Sequence, residues 1–133
     1  MIDVLRRVFL ALALLVFIGP GIILAHGWKA PSQWVKTPNA VPADDASINR
    51  GKATYQRHCA ACHGSEGRGD GLEAMTMNPP PADLVARIAG HSDGDFFYKI
   101  QYGRGNMPGF EKKLSAAKIW DTINFIRSLN DRR

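Results

Sequence analysis

Cysteine is scarce in this chain of 133 residues, which contains only Cys59 and Cys62. Two cysteines cannot build a disulfide framework, and one bridge across two intervening residues removes little chain entropy. A structural zinc site needs four ligands in suitable pairs. The only other candidates are four histidines, one of which, His26, lies in an apolar stretch. The cysteine pair is therefore expected to have a chemical role rather than a structural one.

Runs of basic residues are also missing. The net charge is +5, but the sequence has no run of Lys and Arg and no basic stripe with interleaved aromatic residues, so we expect no nucleic-acid binding. The composition is otherwise that of a globular protein, with 45% hydrophobic and 22% charged residues. The length accommodates one domain and an extension. The mild positive charge suits an anionic lipid surface or an acidic partner, although ordinary solvation explains it more simply.

Charged residues are absent from residues 8–28. About 20 apolar residues span the hydrocarbon core of a bilayer. Arg6 and Arg7 precede this stretch, which predicts a cytoplasmic N-terminus and translocation of the remainder. Residues 1–27 therefore predict a transmembrane signal-anchor, with membrane contact over residues 8–28. A secretory signal cleaved near residues 25–27 is the alternative.

Residues 28–45 contain several prolines and no apolar period. Proline-rich stretches act as semi-rigid spacers, so a linker is expected here. The globular domain then occupies residues 46–133. It is predicted to be all-α with almost no strand, and its four helices are placed at about 46–59, 82–89, 93–102 and 116–130. Ser92 and Ser115 are the expected N-caps of the last two helices.

The most informative motif is Cys59-Ala60-Ala61-Cys62-His63. C-x-x-C-H is the attachment signature of c-type haem. Two thiols three positions apart reach the two vinyl groups on one edge of the porphyrin, and the next residue directs its imidazole at the iron. A thioredoxin-like C-x-x-C would need a βαβ context, and the sequence shows no such pattern. We therefore expect one covalent haem c, with His63 as an iron ligand.

A second iron ligand must come from another part of the chain. Methionine is the usual partner of histidine in electron-carrying sites, where its thioether raises the reduction potential. Met1 is terminal, whereas Met75 and Met77 follow His63 so closely that each would need a tight loop over the haem edge. Met107 is flanked by glycines and a proline, which predict a loop. Met107 is therefore the predicted sixth ligand.

Together these features resemble the small class I cytochromes c over about residues 47–130. Gly51 and Tyr55 are four residues apart, like the glycine and the aromatic residue of that family's N-terminal helix. The glycine-rich stretch 64–71 resembles the loop after the haem motif, and Met107 with the proline that follows matches the axial-methionine segment. The resemblance implies a small cytochrome c fold around one haem, with the C-terminal helix crossing closely at the glycine.

The resemblance also implies contacts around the haem. In the family, a proline carbonyl usually accepts the Nδ1 hydrogen of the axial histidine, a bond that orients the ring. Three consecutive prolines are available, and Pro80 or Pro81 is favoured, although the spacing to Leu84 departs from the commonest pattern. Leu84 and Tyr102 are expected to line the haem pocket. Tyr102 is also a candidate hydrogen-bond donor near the Met107 sulfur.

These expectations describe an electron-transfer protein and not an enzyme, because His63 and Met107 leave no open position on the iron. A shuttle between a redox protein donor and acceptor is predicted at the outer face of the bacterial inner membrane, with the haem domain in the periplasm. A fixed cytochrome c subunit of a larger membrane electron-transfer complex is the alternative. A haem enzyme or gas sensor would require Met107 to be absent from the iron or easily displaced.

Overall fold

The computed structural model describes residues 27–131, which fold into helices and connecting loops. No strand forms within this range, and the one pairing of extended residues there is an isolated bridge between Arg104 and Met107. The all-α prediction is therefore confirmed for this part of the chain. Its α-helices are α1 (Ser32–Val35), α2 (Asp45–His58), α3 (Ala60–His63), α4 (Leu84–Arg87), α5 (Asp93–Tyr102) and α6 (Ala116–Asp131).

The long helices follow the predicted bounds to within one residue, since their capping signals are local. The Ser92 hydroxyl accepts a hydrogen bond from the N–H of Asp95 at 3.2 Å. The Ser115 hydroxyl accepts one from the N–H of Lys118 at 3.4 Å. Both predicted N-caps are therefore confirmed.

The short elements differ from the prediction. The helix expected at 82–89 divides into α4 and a 3₁₀ helix, Ile88–Gly90. A second 3₁₀ helix, Leu72–Thr76, and the single turns α1 and α3 were not expected. Elements this short carry little periodicity, so sequence patterns do not reveal them.

The core forms where α2 crosses α6. Gly51 is buried at the crossing, and a Cβ added there would clash with the main-chain carbonyl of Asp121. One turn later Tyr55 is fully buried, with its ring centroid 5.1 Å from that of Phe125. The close crossing expected from Gly51 is confirmed, because only glycine lets the two backbones approach this closely.

A polar network also fastens α2 to α6. Asp121 accepts hydrogen bonds from the Ser47 hydroxyl at 2.7 Å and from Nε and Nη2 of Arg50, both at 2.8 Å. The Asn124 amide donates to the Ser47 hydroxyl at 2.8 Å and accepts from the Asn39 amide at 2.8 Å. The network thus joins the two helices and also fastens the segment before α2 to α6.

Asp121 makes this network sensitive to acid. Burial raises the pKa of its carboxyl group, but the hydrogen bonds from Arg50 and Ser47 outweigh burial and hold the pKa below its usual value. A carboxyl whose pKa is lowered by folding contributes stability above its unfolded-state pKa, and this contribution disappears as the pH falls through the lowered value. Asp121 therefore contributes its full stabilisation of the helix crossing at neutral pH, and this contribution is lost only in acid.

The segment 28–45 packs on the domain where a spacer was expected. The Trp34 ring stacks on Phe97 of α5, with centroids 5.5 Å apart and an interplanar angle of 14°. The main-chain N–H of Ala30 donates to the Asp95 carboxylate at 3.0 Å. The prolines stiffen this segment, but Ala30 and Trp34 supply contacts that bind it to α5. Residues of this segment are therefore packed against α5, and the boundary of the domain at residue 46 stays a prediction.

The predicted signal-anchor, residues 1–27, lies outside the described residues except for Gly27. Among the helices of residues 27–131, none combines the length and apolar character needed to cross a bilayer.

Replacing Gly51 by alanine tests the helix crossing. The added methyl group meets main-chain atoms of Asp121, which cannot rotate away as a side chain can. We expect the free energy of unfolding of the holoprotein, measured in urea, to fall by about 3 kcal/mol, the upper end for overpacking. Gly90→Ala is the matched control, because a Cβ there has no neighbour within 4 Å, and it should change stability by less than about 0.5 kcal/mol. Equal effects of the two substitutions would contradict the close crossing.

Candidate functional site

The C-x-x-C-H residues lie on one short helical turn. Cys59 is the C-cap of α2, and α3 starts directly after it. The N–H of His63 donates to the Cys59 carbonyl at 2.9 Å, and α3 ends at Gly64, whose φ is 79°. Residues three positions apart on a helix share a face. Two free thiols and one imidazole are therefore presented together.

The glycine-rich loop 64–71 folds back under this turn. The N–H of Gly69 donates to the His63 carbonyl at 2.8 Å, and the N–H of Gly71 donates to the Cys62 carbonyl at 3.1 Å. A Cβ on Gly71 would clash with the main chain of α3. The loop thus donates hydrogen bonds to the carbonyls of Cys62 and His63 and restrains the main chain of His63.

Tyr55 connects the turn to the core. Its hydroxyl donates to the Gly64 carbonyl at 2.8 Å, and both residues are buried. Burial raises the pKa of the Tyr55 hydroxyl well above its ordinary value, so the group stays protonated and can donate throughout the physiological range. The helix crossing is therefore linked through one side chain to the residue that follows His63.

His63 is oriented by a main-chain carbonyl. Its Nδ1 lies 3.0 Å from the carbonyl oxygen of Ala82, and because a carbonyl only accepts, the ring hydrogen sits on Nδ1. Burial lowers the pKa of His63, and the bond to Ala82 partly opposes this. A neutral imidazole with its hydrogen on Nδ1 presents Nε2 as a metal ligand. The predicted acceptor, a carbonyl of Pro80 or Pro81, is wrong by one or two residues.

The register of the following segment explains why the acceptor is Ala82. The N–H of Leu84 donates to the Gly67 carbonyl at 2.7 Å, and the Asp83 carboxylate caps α4 by accepting from the N–H of Ala86 at 2.8 Å. These two bonds hold the chain so that the carbonyl two residues before Leu84 meets His63. Leu84 itself is half-buried against the core.

The two thiols occupy different surroundings. Burial raises the pKa of Cys59 to about 12. The pKa of Cys62 is also raised, first by partial burial and then by Glu73, whose carboxylate accepts a hydrogen bond from its thiol at 3.2 Å. Before any haem is attached, both groups are therefore thiols and not thiolates at neutral pH. Glu73 has no counterpart in the sequence motif, so sequence reasoning did not single it out.

Met107 lies in the loop 103–109, here called the Met107 loop. The loop closes through two main-chain bonds between Arg104 and Met107, of 2.9 and 3.1 Å. Gly103 and Gly105 adopt positive φ values of 66° and 60°, which glycine tolerates. Met107 is partly buried against the core, whereas Met75 is 84% exposed. The prediction of a loop at Met107 is confirmed, and its coordination of the iron stays a prediction.

Tyr102 lies at the end of α5 and is exposed. Its ring centroid is 4.9 Å from that of Tyr98 and 6.0 Å from that of Trp34. These contacts place Tyr102 in an aromatic cluster with the N-terminal segment. Its expected hydrogen bond near the Met107 sulfur stays a prediction.

The donor set suits covalent haem c. The two cysteines are free, the His63 ring has Nδ1 engaged so that Nε2 can bind a metal, and a partly buried thioether lies in a separate loop. Residues 46–126 match the family model described as cytochrome c oxidase, cbb3-type, subunit III. The chain belongs to this family of c-type cytochromes. It is therefore a monohaem cytochrome c that binds its haem covalently and transfers electrons.

Relatives with this domain differ in overall length. The cbb3-type cytochrome c oxidase subunit CcoP of Azospirillum brasilense is 28% identical over 74% of this chain and 34% of that protein. Cytochrome c6 of Thermosynechococcus vestitus is 28% identical over 68% of this chain and 74% of that protein. The alcohol dehydrogenase (quinone) cytochrome c subunit of Gluconacetobacter polyoxogenes is 32% identical over 69% of this chain and 21% of that protein. This cytochrome thus spans about a third of the CcoP relative and most of the cytochrome c6.

A solved structure shares the fold. A chain of the Kuenenia stuttgartiensis reducing HAO-like protein complex superposes with a TM-score of 0.61 at 30% sequence identity, covering 71% of this cytochrome and 48% of that chain. The likeness agrees with the family assignment and with the helical architecture of residues 27–131.

Tyr55→Phe tests the link between the crossing and the haem turn. The substitution keeps the buried ring but leaves the Gly64 carbonyl without its donor, so the free energy of unfolding of the holoprotein should fall by about 1–3 kcal/mol. Urea denaturation followed by circular dichroism measures the change. Tyr98→Phe is the control, because its hydroxyl makes no hydrogen bond within residues 27–131, and it should leave stability within about 0.5 kcal/mol. An unchanged Tyr55→Phe protein would contradict the link.

Proposed function

We propose that this cytochrome is an electron carrier whose single haem c is bonded to Cys59 and Cys62 and ligated by His63 and Met107. When bound, the haem supplies a reversible one-electron couple. The observation that carries the proposal is the combination of a His63 imidazole held through Nδ1 by Ala82 with a Met107 side chain partly buried against the hydrophobic core. One ligand comes from the turn after α2 and the other from the loop between α5 and α6.

The surrounding residues set the properties of these two ligands. The Ala82 carbonyl fixes the plane of the His63 ring and makes its Nε2 a stronger electron donor. A methionine sulfur favours ferrous iron and raises the potential. Leu84, two residues after Ala82, is proposed to pack against the haem. If His63 and Met107 both bind the iron, no position would stay open for a substrate, which suits electron transfer rather than catalysis.

We further propose that the haem domain works in the periplasm, anchored to the bacterial inner membrane through residues 8–28. Arg6 and Arg7 before this uncharged stretch support the orientation. Two relatives named above are subunits of a cytochrome oxidase and a quinone-dependent dehydrogenase, which supports redox proteins as donor and acceptor. The similarity to cytochrome c6 over 74% of its length favours a carrier.

A fixed subunit of a larger membrane complex is the second candidate. The packing of Ala30 and Trp34 on α5 favours it. These contacts shorten the linker between the proposed membrane segment and the haem domain, and a short linker limits the movement of the domain. Three relatives named above are subunits or chains of complexes, which agrees with this candidate.

Met107→Leu tests the sixth ligand. Leucine keeps the apolar volume but cannot bind iron, so the reduction potential should fall by on the order of 0.2 V, within the ~0.8 V range that axial ligands span. The reduced variant should also bind carbon monoxide at neutral pH, whereas the unaltered protein should not. Potentiometric titration and visible absorption spectra measure both changes.

Met75→Leu and Met77→Leu are the matched controls for this experiment. Met75 is highly exposed and Met77 is half-buried, so both variants should keep the potential of the unaltered protein and stay closed to carbon monoxide. A loss of potential in either control, with Met107→Leu unchanged, would move the sixth ligand to that methionine. Carbon monoxide binding by the unaltered protein would favour a gas sensor or haem enzyme.

Separated membrane and soluble fractions test the location and the choice between carrier and subunit. We expect the haem-stained band in the membrane fraction, with an intact mass equal to the full chain plus one haem. In mild detergent, a carrier should elute alone, and a fixed subunit should elute with partner subunits at constant ratio. A soluble chain that begins near Trp28 would replace the anchor with a cleaved signal.

A further inference from the structure

Residues 27–37 form an N-terminal strap that the family match at 46–126 does not include. The strap lies across α5, the helix that leads into the Met107 loop. Three separate sets of contacts hold it there, and the third of them reaches the Met107 loop.

The first set is aromatic. Trp34 of the strap stacks on Phe97, and Phe97 in turn stacks on Trp120 of α6 with ring centroids 4.2 Å apart. A Cβ on Gly94 would clash with the Trp34 carbonyl. The strap is therefore seated closely on α5, and its main aromatic residue reaches the core through one intervening ring.

The second set is a buried carboxylate. Asp95 on α5 is 3% exposed, and one of its oxygens accepts from the N–H of Ala30 at 3.0 Å. Its other oxygen lies 2.6 Å from both Lys99 Nζ and His91 Nδ1. This carboxylate holds the strap in one register along α5. A shift of the strap would remove the hydrogen bond from the Ala30 N–H and leave a buried oxygen of Asp95 without that donor.

The third set reaches the loop itself. The Trp28 ring lies near two cations, with Lys99 Nζ 5.8 Å and the Arg104 guanidinium carbon 5.0 Å from its centroid. The same guanidinium donates to the Gly27 carbonyl at 2.9 Å. Arg104 therefore contacts the first two residues of the strap with its side chain.

Arg104 also contacts Met107 with its main chain. The N–H of Arg104 donates to the Met107 carbonyl at 2.9 Å, and the N–H of Met107 donates to the Arg104 carbonyl at 3.1 Å. One residue thus bonds the strap on one side and the predicted iron ligand on the other. The side-chain contacts of Arg104 with Trp28 and Gly27 therefore restrain the loop in addition to its own main-chain bonds.

We propose that the strap is a positioning element for the Met107 loop and that Arg104 is the residue through which it acts. The inference rests on the proposed ligation of the haem iron by Met107. Arg104 touches neither sulfur nor iron in this role. Its side chain, held by Trp28 and Gly27, keeps the loop in the conformation that presents the thioether, and release of the strap raises the population of an open loop.

Binding of imidazole to the oxidised full-length holoprotein measures this population. Imidazole competes with a methionine sulfur for the sixth position of ferric haem, so its apparent affinity scales with the fraction of molecules whose loop is open. Arg104→Ala and Trp28→Leu should each raise the apparent affinity about tenfold, the scale of losing a cation–π contact and a hydrogen bond. Arg104→Lys should fall between, because lysine keeps the charge but loses the planar contact.

Controls separate the strap from general effects of charge and stability. Lys112→Ala removes an exposed cation from the stretch that follows the Met107 loop, and Lys29→Ala removes one from the strap itself. Both should bind imidazole as the unaltered protein does. The urea midpoint of each variant, followed by far-ultraviolet circular dichroism, should move far less than its imidazole affinity, because Arg104 is exposed and outside the core.

The outcomes distinguish failure of the strap from failure of the proposed ligation. Met107→Leu should bind imidazole most tightly. If it does and the Arg104 and Trp28 variants match the lysine controls, the positioning role is overturned while the ligation stands. If Met107→Leu binds imidazole no more tightly than the unaltered protein, the ligation itself is wrong and the strap has no thioether to position.

Discussion

The absence of a side chain at Gly51 decides where the haem turn can lie. Because α2 meets the α6 backbone there, the Tyr55 ring is buried between the helices and its hydroxyl reaches the Gly64 carbonyl. That bond fixes the end of α3 and with it His63. A bulkier residue at the crossing would separate the helices, and the displacement would reach His63, the first proposed iron ligand, through a single hydrogen bond.

The second proposed ligand depends on α6 by another route. The Met107 loop starts where α5 ends, and α5 packs on α6 through the stacked rings of Phe97 and Trp120. His63 and Met107 thus lie on separate elements, and both elements are connected to helix α6. This arrangement would let a domain with so small a core hold the two proposed ligands in a fixed relation, since both are connected to α6, which is well buried.

Sequence patterns predicted the features whose determinants are local. The caps at Ser92 and Ser115 involve groups three residues apart, and C-x-x-C-H needs only one helical turn. The carbonyl that orients His63 was missed because every residue carries a carbonyl, so its choice depends on register and not on residue type. That register is set at Ala82 by the bond between Leu84 and Gly67, which joins segments distant in sequence.

The strap was missed for a related reason, and its presence bears on how the cytochrome meets its partners. Prolines favour a spacer when no partner is visible, yet Ala30 and Trp34 find theirs on α5, far along the chain. If residues 8–28 are the membrane segment, Trp28 closes that segment and also contacts Arg104. Little free chain then separates bilayer from haem domain. A domain mounted this way samples few orientations, so its effective concentration is high only for partners already placed beside it.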